Sequence, residues 1–170
     1  MISPSTPSIW LMLAAGCAAA ATGSLLSTAW LGLEPCHLCV FQRLLFMVLT
    51  VVALGAAFAS RRSPSGRAGW LLGGLTLPIS VTGIGVAAYQ SWLQHQPLDQ
   101  ASCTGGPPGL IERLVEWLGQ QMPAWFMATG FCEDEALVIL GLSLANWALL
   151  SFILCLGIGV WALVQGELAD

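Results

Sequence analysis

The sequence contains no lysine, a single tyrosine and only 8% charged residues in 170 positions. Soluble domains carry roughly 25% charged residues. A chain this poor in charge cannot coat a globule of its own size with polar groups, so a water-soluble fold is excluded. Five basic residues stand against nine acidic ones, for a formal net charge of −4. No basic patch exists on which nucleic-acid binding could rest. Internal repeats are lacking too, and no low-complexity tract appears beyond a Ser/Pro-rich start at residues 3–8. What the chain has in abundance is apolar surface: 56% hydrophobic residues and a mean hydropathy of +0.79. These values specify a single integral membrane domain.

Four uncharged stretches, at about 9–31, 40–60, 70–93 and 142–165, are long enough to span. A helix crosses a hydrocarbon core of about 30 Å in about 20 residues. Pro78 and several glycines interrupt the third stretch, and Asn146 is the polar intruder in the fourth. Trp10, Trp30, Trp70, Trp92, Trp147 and Trp161 fall near the ends of three of the stretches, where indole rings prefer the headgroup region. The first stretch is too long for a cleaved signal peptide and has no basic segment before it. It reads as a span.

Arg61, Arg62 and Arg67 cluster in the short loop 61–69, three of the five arginines in the chain. Positive charge marks the cytoplasmic side. Parity then puts both termini inside and turns the loops at about 32–39 and 94–141 outward. The second outer loop opens on turn formers, Pro97, Gly105, Gly106, Pro107, Pro108 and Gly109. Leu110, Ile111, Leu114, Val115 and Leu118 then recur at helical spacing, with Glu112, Arg113 and Glu116 opposite. This pattern predicts a short amphipathic helix lying in the membrane interface.

Four of the six cysteines, Cys36, Cys39, Cys103 and Cys132, fall in or beside those outer loops, on the side where disulfides persist. Cys17 and Cys155 lie inside apolar spans and read as small core residues. Cys36-His37-Leu38-Cys39 sits at the mouth of a span, and Pro35 before it can start a helix. Exchange chemistry needs the thiolate, and a helix N-terminus or a nearby cation favours that form. Arg43 follows Cys39 by four residues, on the same helical face. Its guanidinium cannot shed its proton, so it either snorkels to the surface or finds an anion, whether a thiolate or a reduced oxygen on a bound ligand.

The cysteines admit other readings. A c-type haem site fails because Val40, not histidine, follows Cys39. A four-thiolate zinc site would use a second pair 29 residues apart, without knuckle spacing. A structural staple remains open for the loop cysteines, but a Cys-x-x-Cys ring closes almost no chain and makes a poor staple. Four cysteines permit three full pairings. Redox exchange best explains the Cys-x-x-Cys pair.

The residues Pro35-Cys36-His37-Leu38-Cys39-Val40-Phe41-Gln42-Arg43 resemble the Pro-Cys-x-Leu-Cys-x-x-Gln-Arg signature of the disulfide bond formation protein B (DsbB) family of bacterial inner-membrane oxidases. Gly130-Phe131-Cys132 and Leu140-Gly141-Leu142-Ser143 are similar to later elements of that family, the last opening its final span. The resemblance implies an all-α four-helix transmembrane bundle, with both termini cytoplasmic and the four cysteines periplasmic. It implies an enzyme that reoxidises a periplasmic thioredoxin-fold (DsbA-like) thiol oxidase and passes the electrons to ubiquinone or menaquinone, with no metal. Cys103 would take the partner's attack, Cys132 would be its disulfide mate and later exchange with Cys36, and Cys39 would face the quinone beside Arg43. Membrane lipid and the DsbA-like protein are the implied partners.

Two positions depart from the family pattern. Where the family often carries a basic or imidazole residue just before Trp-Leu-Gln, this chain has Gln90, with His95 nearby but shifted; both are candidates for the quinone side. Leu137 stands where tryptophan is usual. Two further readings compete. One is a quinone-linked reductase like vitamin K epoxide reductase, disfavoured because its active pair lies near the last span. The other is a non-catalytic membrane scaffold with stapled loops.

Overall fold

In lipid no water is available to hydrogen-bond a free backbone, so apolar segments must satisfy their own amides and become helices. The computed structural model describes residues 6–62, 67–95, 109–132 and 137–167. Four of its helices are long and apolar enough to cross a membrane. The first, α1, is Thr6–Leu31, and it ends where Gly32 takes a left-handed φ of +62°, the usual stop signal at a helix C-terminus. The second, α2, is His37–Arg62. It starts three residues before the expected 40.

The third span, Ala68–Gln94, is two helices: α3 at Arg67–Gly74 and α4 at Thr76–Gln94. Pro78 has no N–H to give the Gly74 carbonyl, and its ring crowds that oxygen, so the ladder breaks one turn before it. The break is closed by a tighter bond from Leu75 N–H to the Leu72 carbonyl at 3.1 Å. Two short helices follow, α5 at Leu110–Gln121 and α6 at Pro123–Phe126. A two-stranded antiparallel ribbon comes next, β1 at Val138–Ile139 against β2 at Leu142–Ser143. The last span is α7, Leu144–Glu167.

The ribbon corrects the expected start of the last span. Residues 140–143 turn before they enter the helix: Leu140 and Gly141 both have positive φ, +54° and +80°, the turn geometry that joins a two-residue hairpin. Ser143 Oγ then accepts the Asn146 N–H at 3.4 Å, capping a helix that begins only at Leu144.

Helix α1 packs along α2, and α4 along α7. The shared core holds Trp10, Leu13, Cys17, Leu49, Phe152 and Ala162. Phe46 and Phe152 stack with centroids 4.1 Å apart. Gly83 makes room for the Phe152 ring, and Gly73 for Trp10. Trp10 was expected as an interface anchor, but it is 1% exposed and serves as a core residue. The other five, Trp30, Trp70, Trp92, Trp147 and Trp161, are outward-facing. So are Val51, Leu54 and Phe58 on α2 and Leu150, Ile153 and Leu154 on α7. An apolar surface of this extent is tolerable only where the solvent is lipid.

Helix α5 has the amphipathic pattern expected of it. Glu112 reaches back to accept the Gly109 N–H at 2.8 Å. Val115, 1% exposed, packs with Val40 of α2 and Phe126 of α6, while Leu110, Leu114 and Trp117 face outward.

Candidate functional site

Cys36 is the N-cap of α2. Its carbonyl accepts the Val40 N–H at 3.0 Å, and its Sγ accepts the Cys39 N–H at 3.3 Å. The thiols of Cys36 and Cys39 lie 2.9 Å apart. The first-turn amides, which have no partner within the helix, were expected to serve Cys39. They serve other sulfurs instead: Cys39 N–H points to Cys36, and Leu38 N–H to Cys132.

Cys132 is delivered by docking of its own segment. Thr129 and Gly130 both donate their N–H to the Pro35 carbonyl, at 3.0 and 3.2 Å. A Cβ at Gly130 would collide with the Glu34 carbonyl oxygen, so only glycine permits this approach. Cys132 thereby joins Cys36 and Cys39 in one cluster. The Cys36 thiol donates to the Cys132 sulfur, and this bond with the Leu38 N–H holds Cys132 below the ordinary thiol range. The same interaction, followed by the bond to Cys39 and by burial, pushes Cys36 upward. The two shifts are opposite in sign: Cys36 holds its proton more tightly than an ordinary thiol and Cys132 less tightly. Cys103 lies outside the described residues.

Consecutive side chains on a helix point about 100° apart, so Gln42 and Arg43 serve different neighbours. Gln42 Nε2 donates to Gln90 Oε1 of α4 at 2.8 Å. Gln90 Nε2 in turn donates to Cys39 Sγ at 3.0 Å and lies 3.4 Å from Cys36 Sγ. Arg43 turns to α1. Its Nε donates to Ser24 Oγ at 3.0 Å, and its Nη2 to Thr28 Oγ1 at 2.8 Å and the Ser24 carbonyl at 3.3 Å. Nη1 donates to the Trp125 carbonyl of α6 at 2.8 Å. Arg43 is 2% exposed and does not snorkel. Its four bonds all end on neutral oxygens, so the charge itself has no counter-ion among them, a costly arrangement for a buried cation.

These groups line a cavity of about 420 Å³. Cys39, Gln42, Gln90 and Arg43 stand on its wall with Ser24 and Thr28. Phe46, Ala145 and Ala148 supply apolar surface. The size lies in the range of small-molecule sites. His95 is not on this wall; its ring is exposed and its Nδ1 lies 2.7 Å from the Ser91 carbonyl at the end of α4. Gln42, Ser24, Thr28 and the Trp125 carbonyl had no role assigned from sequence. Two hydroxyls four residues apart in the first apolar span were the available signal for Ser24 and Thr28. Nothing local marks a main-chain carbonyl.

Comparison with known proteins identifies the family. Residues 6–162 match the model of the family described as Disulfide bond formation protein DsbB. The chain is 46% identical over 132 residues to Disulfide bond formation protein B of Dechloromonas aromatica (strain RCB), covering 78% of this chain and 76% of the relative. It is 34% identical over 155 residues to the protein of the same name from Azoarcus sp. (strain BH72), covering 91% and 90%.

Proposed function

From the membership of this chain in the DsbB family, which makes it a disulfide-forming oxidoreductase of a multi-pass membrane type, we propose that it reoxidises a periplasmic DsbA-like dithiol oxidase and delivers the electrons to a membrane quinone. The observation that carries this reading is the row of sulfurs from Cys132 to Cys36 to Cys39, ending on a cavity that also holds the buried Arg43.

The exchange runs along that row. The partner's thiolate attacks Cys103 of a Cys103–Cys132 disulfide, and Cys132 leaves with the electron pair. Cys132, whose sulfur accepts the Leu38 N–H, is the nucleophile toward Cys36 of a Cys36–Cys39 disulfide. Cys39 leaves as a thiolate beside the Gln90 amide. The second partner thiol then resolves the mixed disulfide and frees Cys103, which attacks Cys132 of the Cys132–Cys36 disulfide, restoring Cys103–Cys132 and releasing Cys36, so one dithiol becomes one disulfide and two electrons reside on the Cys36–Cys39 pair. When bound, a quinone supplies the two-electron acceptor that returns this pair to a disulfide. The cavity fits such a ligand, because a cation held only by neutral oxygens favours a neutral ring whose oxygens gain negative charge. Ubiquinone and menaquinone both meet this description.

This reading places the sulfur end of the bundle on the periplasmic face of the bacterial inner membrane and the Arg61–Arg62 end of α2 on the cytoplasmic face. Membranes containing the protein, given a reduced DsbA-like dithiol, should consume it in proportion to added quinone. Absence of quinone-dependent thiol oxidation would overturn the reading, and a Cys39→Ser protein that kept its cellular role would favour a scaffold.

A further inference from the structure

Gln42 and Gln90 are both buried at the sulfur end of the cavity, 5% and 2% exposed. A side-chain amide carries an acceptor on one branch and a donor on the other. Which one it turns to a neighbour depends on which is engaged elsewhere. Here Gln42 Nε2 engages Gln90 Oε1, so Gln90 turns its NH2 toward Cys39 and Cys36. Turned over, Gln90 would set its oxygen against the sulfurs and its hydrogens against the hydrogens of Gln42. A disulfide sulfur or a thiolate accepts hydrogen bonds and donates none. Only the observed orientation therefore serves Cys39 both as the disulfide and as the thiolate.

We propose that Gln42 is a positioning residue that locks the Gln90 amide with its NH2 toward Cys39, so that a neutral donor, linked across α2 and α4, supports the departing thiolate. This rests on the proposed function and assigns that role to two residues which carry no charge. Neither amide titrates, so this support does not vary across neutral pH, unlike that of an imidazole.

The test is a double-mutant cycle on the reduced full-length protein, reading alkylation of Cys39 residue by residue by mass spectrometry at pH 7. Gln90→Leu removes the donor and should slow Cys39 labelling about tenfold, as loss of a hydrogen bond to a charged group does. Gln42→Met keeps the length but frees Gln90 to turn, and should slow labelling several-fold. In the Gln90→Leu background, Gln42→Met should change the rate less than twofold, because its only route to Cys39 is gone. Equal effects of Gln42→Met in both backgrounds, or no effect in either, would overturn the proposal. If Gln42→Met fails to yield a helical protein, Gln42→Glu reverses the donor at the same length. It must slow labelling at least as much; an unchanged rate is again fatal. Labelling needs no acceptor, so a protein without quinone-dependent turnover would end the proposed function while leaving this result readable.

Discussion

Among the described residues, two thiol pairs carried by the helix bundle have different surroundings. At its outer end, Cys36 and Cys39 lie 2.9 Å apart. In its interior, Cys17 of α1 and Cys155 of α7 lie 3.5 Å apart. The outer pair has the Gln90 amide, a free helix amide and a cavity with a cation on its wall. The inner pair sits in the cluster formed by Leu13, Phe46, Leu49 and Phe152, and the polar partner of each thiol is the other thiol. Proximity of two sulfurs therefore does not by itself supply the surroundings that thiol exchange requires. Exchange needs a stabilised thiolate, and the outer pair has the Gln90 amide and a cation on the adjoining cavity wall to support one.

The sharpest way to break this contrast is to remove one thiol from each pair. Cys39→Ala should abolish turnover, a loss of about a thousandfold or more as for any member of a unit that acts together. Cys17→Ala should leave quinone-dependent thiol oxidation within about twofold, since the cost falls on packing. Comparable losses from the two would dissolve the distinction.

A second comparison concerns delivery. Gly130→Ala places a methyl group against the Glu34 carbonyl and should push Cys132 away from Cys36. A misplacement of about 1 Å costs about a hundredfold, which single-turnover exchange between Cys132 and the Cys36–Cys39 disulfide would read. Smaller again is the effect of Arg43→Met, which should raise the KM for quinone about tenfold, or 1.4 kcal/mol, while the disulfides still form. An unchanged KM would remove Arg43 from the quinone side.

The last prediction is a shift with a definite sign. In the reduced protein Cys132 is held below the ordinary thiol range chiefly by the Cys36 thiol. A lowered midpoint means that its thiolate persists as the pH falls past the point where an ordinary thiol has been protonated, and disappears only below that midpoint. Cys36→Ala removes the main donor, so the alkylation midpoint of Cys132 should move up. A midpoint that stays or falls would show that the Leu38 amide alone sets the charge.

Much of this molecule is dictated by local chemistry that the sequence states openly. Four uncharged runs must become helices in lipid, and Pro78 must break the third. The pattern around Leu110, Val115 and Leu118 makes a helix with an apolar side. The Cys36–Cys39 spacing and the placement of Arg43 one turn later fix those groups at one helix mouth, because positions four apart on a helix share a face. Other features were unreadable for equally physical reasons. Nothing local reveals that Trp10 is buried, since its position near a helix end is the same whether Gly73 opposite it leaves a slot or not.

The partners of Arg43 come from α1 and α6, 15 to 82 residues away, and one is a main-chain carbonyl that any residue could supply. Gln42 and Gln90 are ordinary amides until α2 and α4 bring them within 2.8 Å. Sequence alone thus determined which groups this protein has and on which helix each rides. Tertiary packing decided which sulfur takes which amide, where the buried charge finds its oxygens and which cysteines remain mere core, because hydrogen bonds depend on distances that no periodicity along the chain encodes.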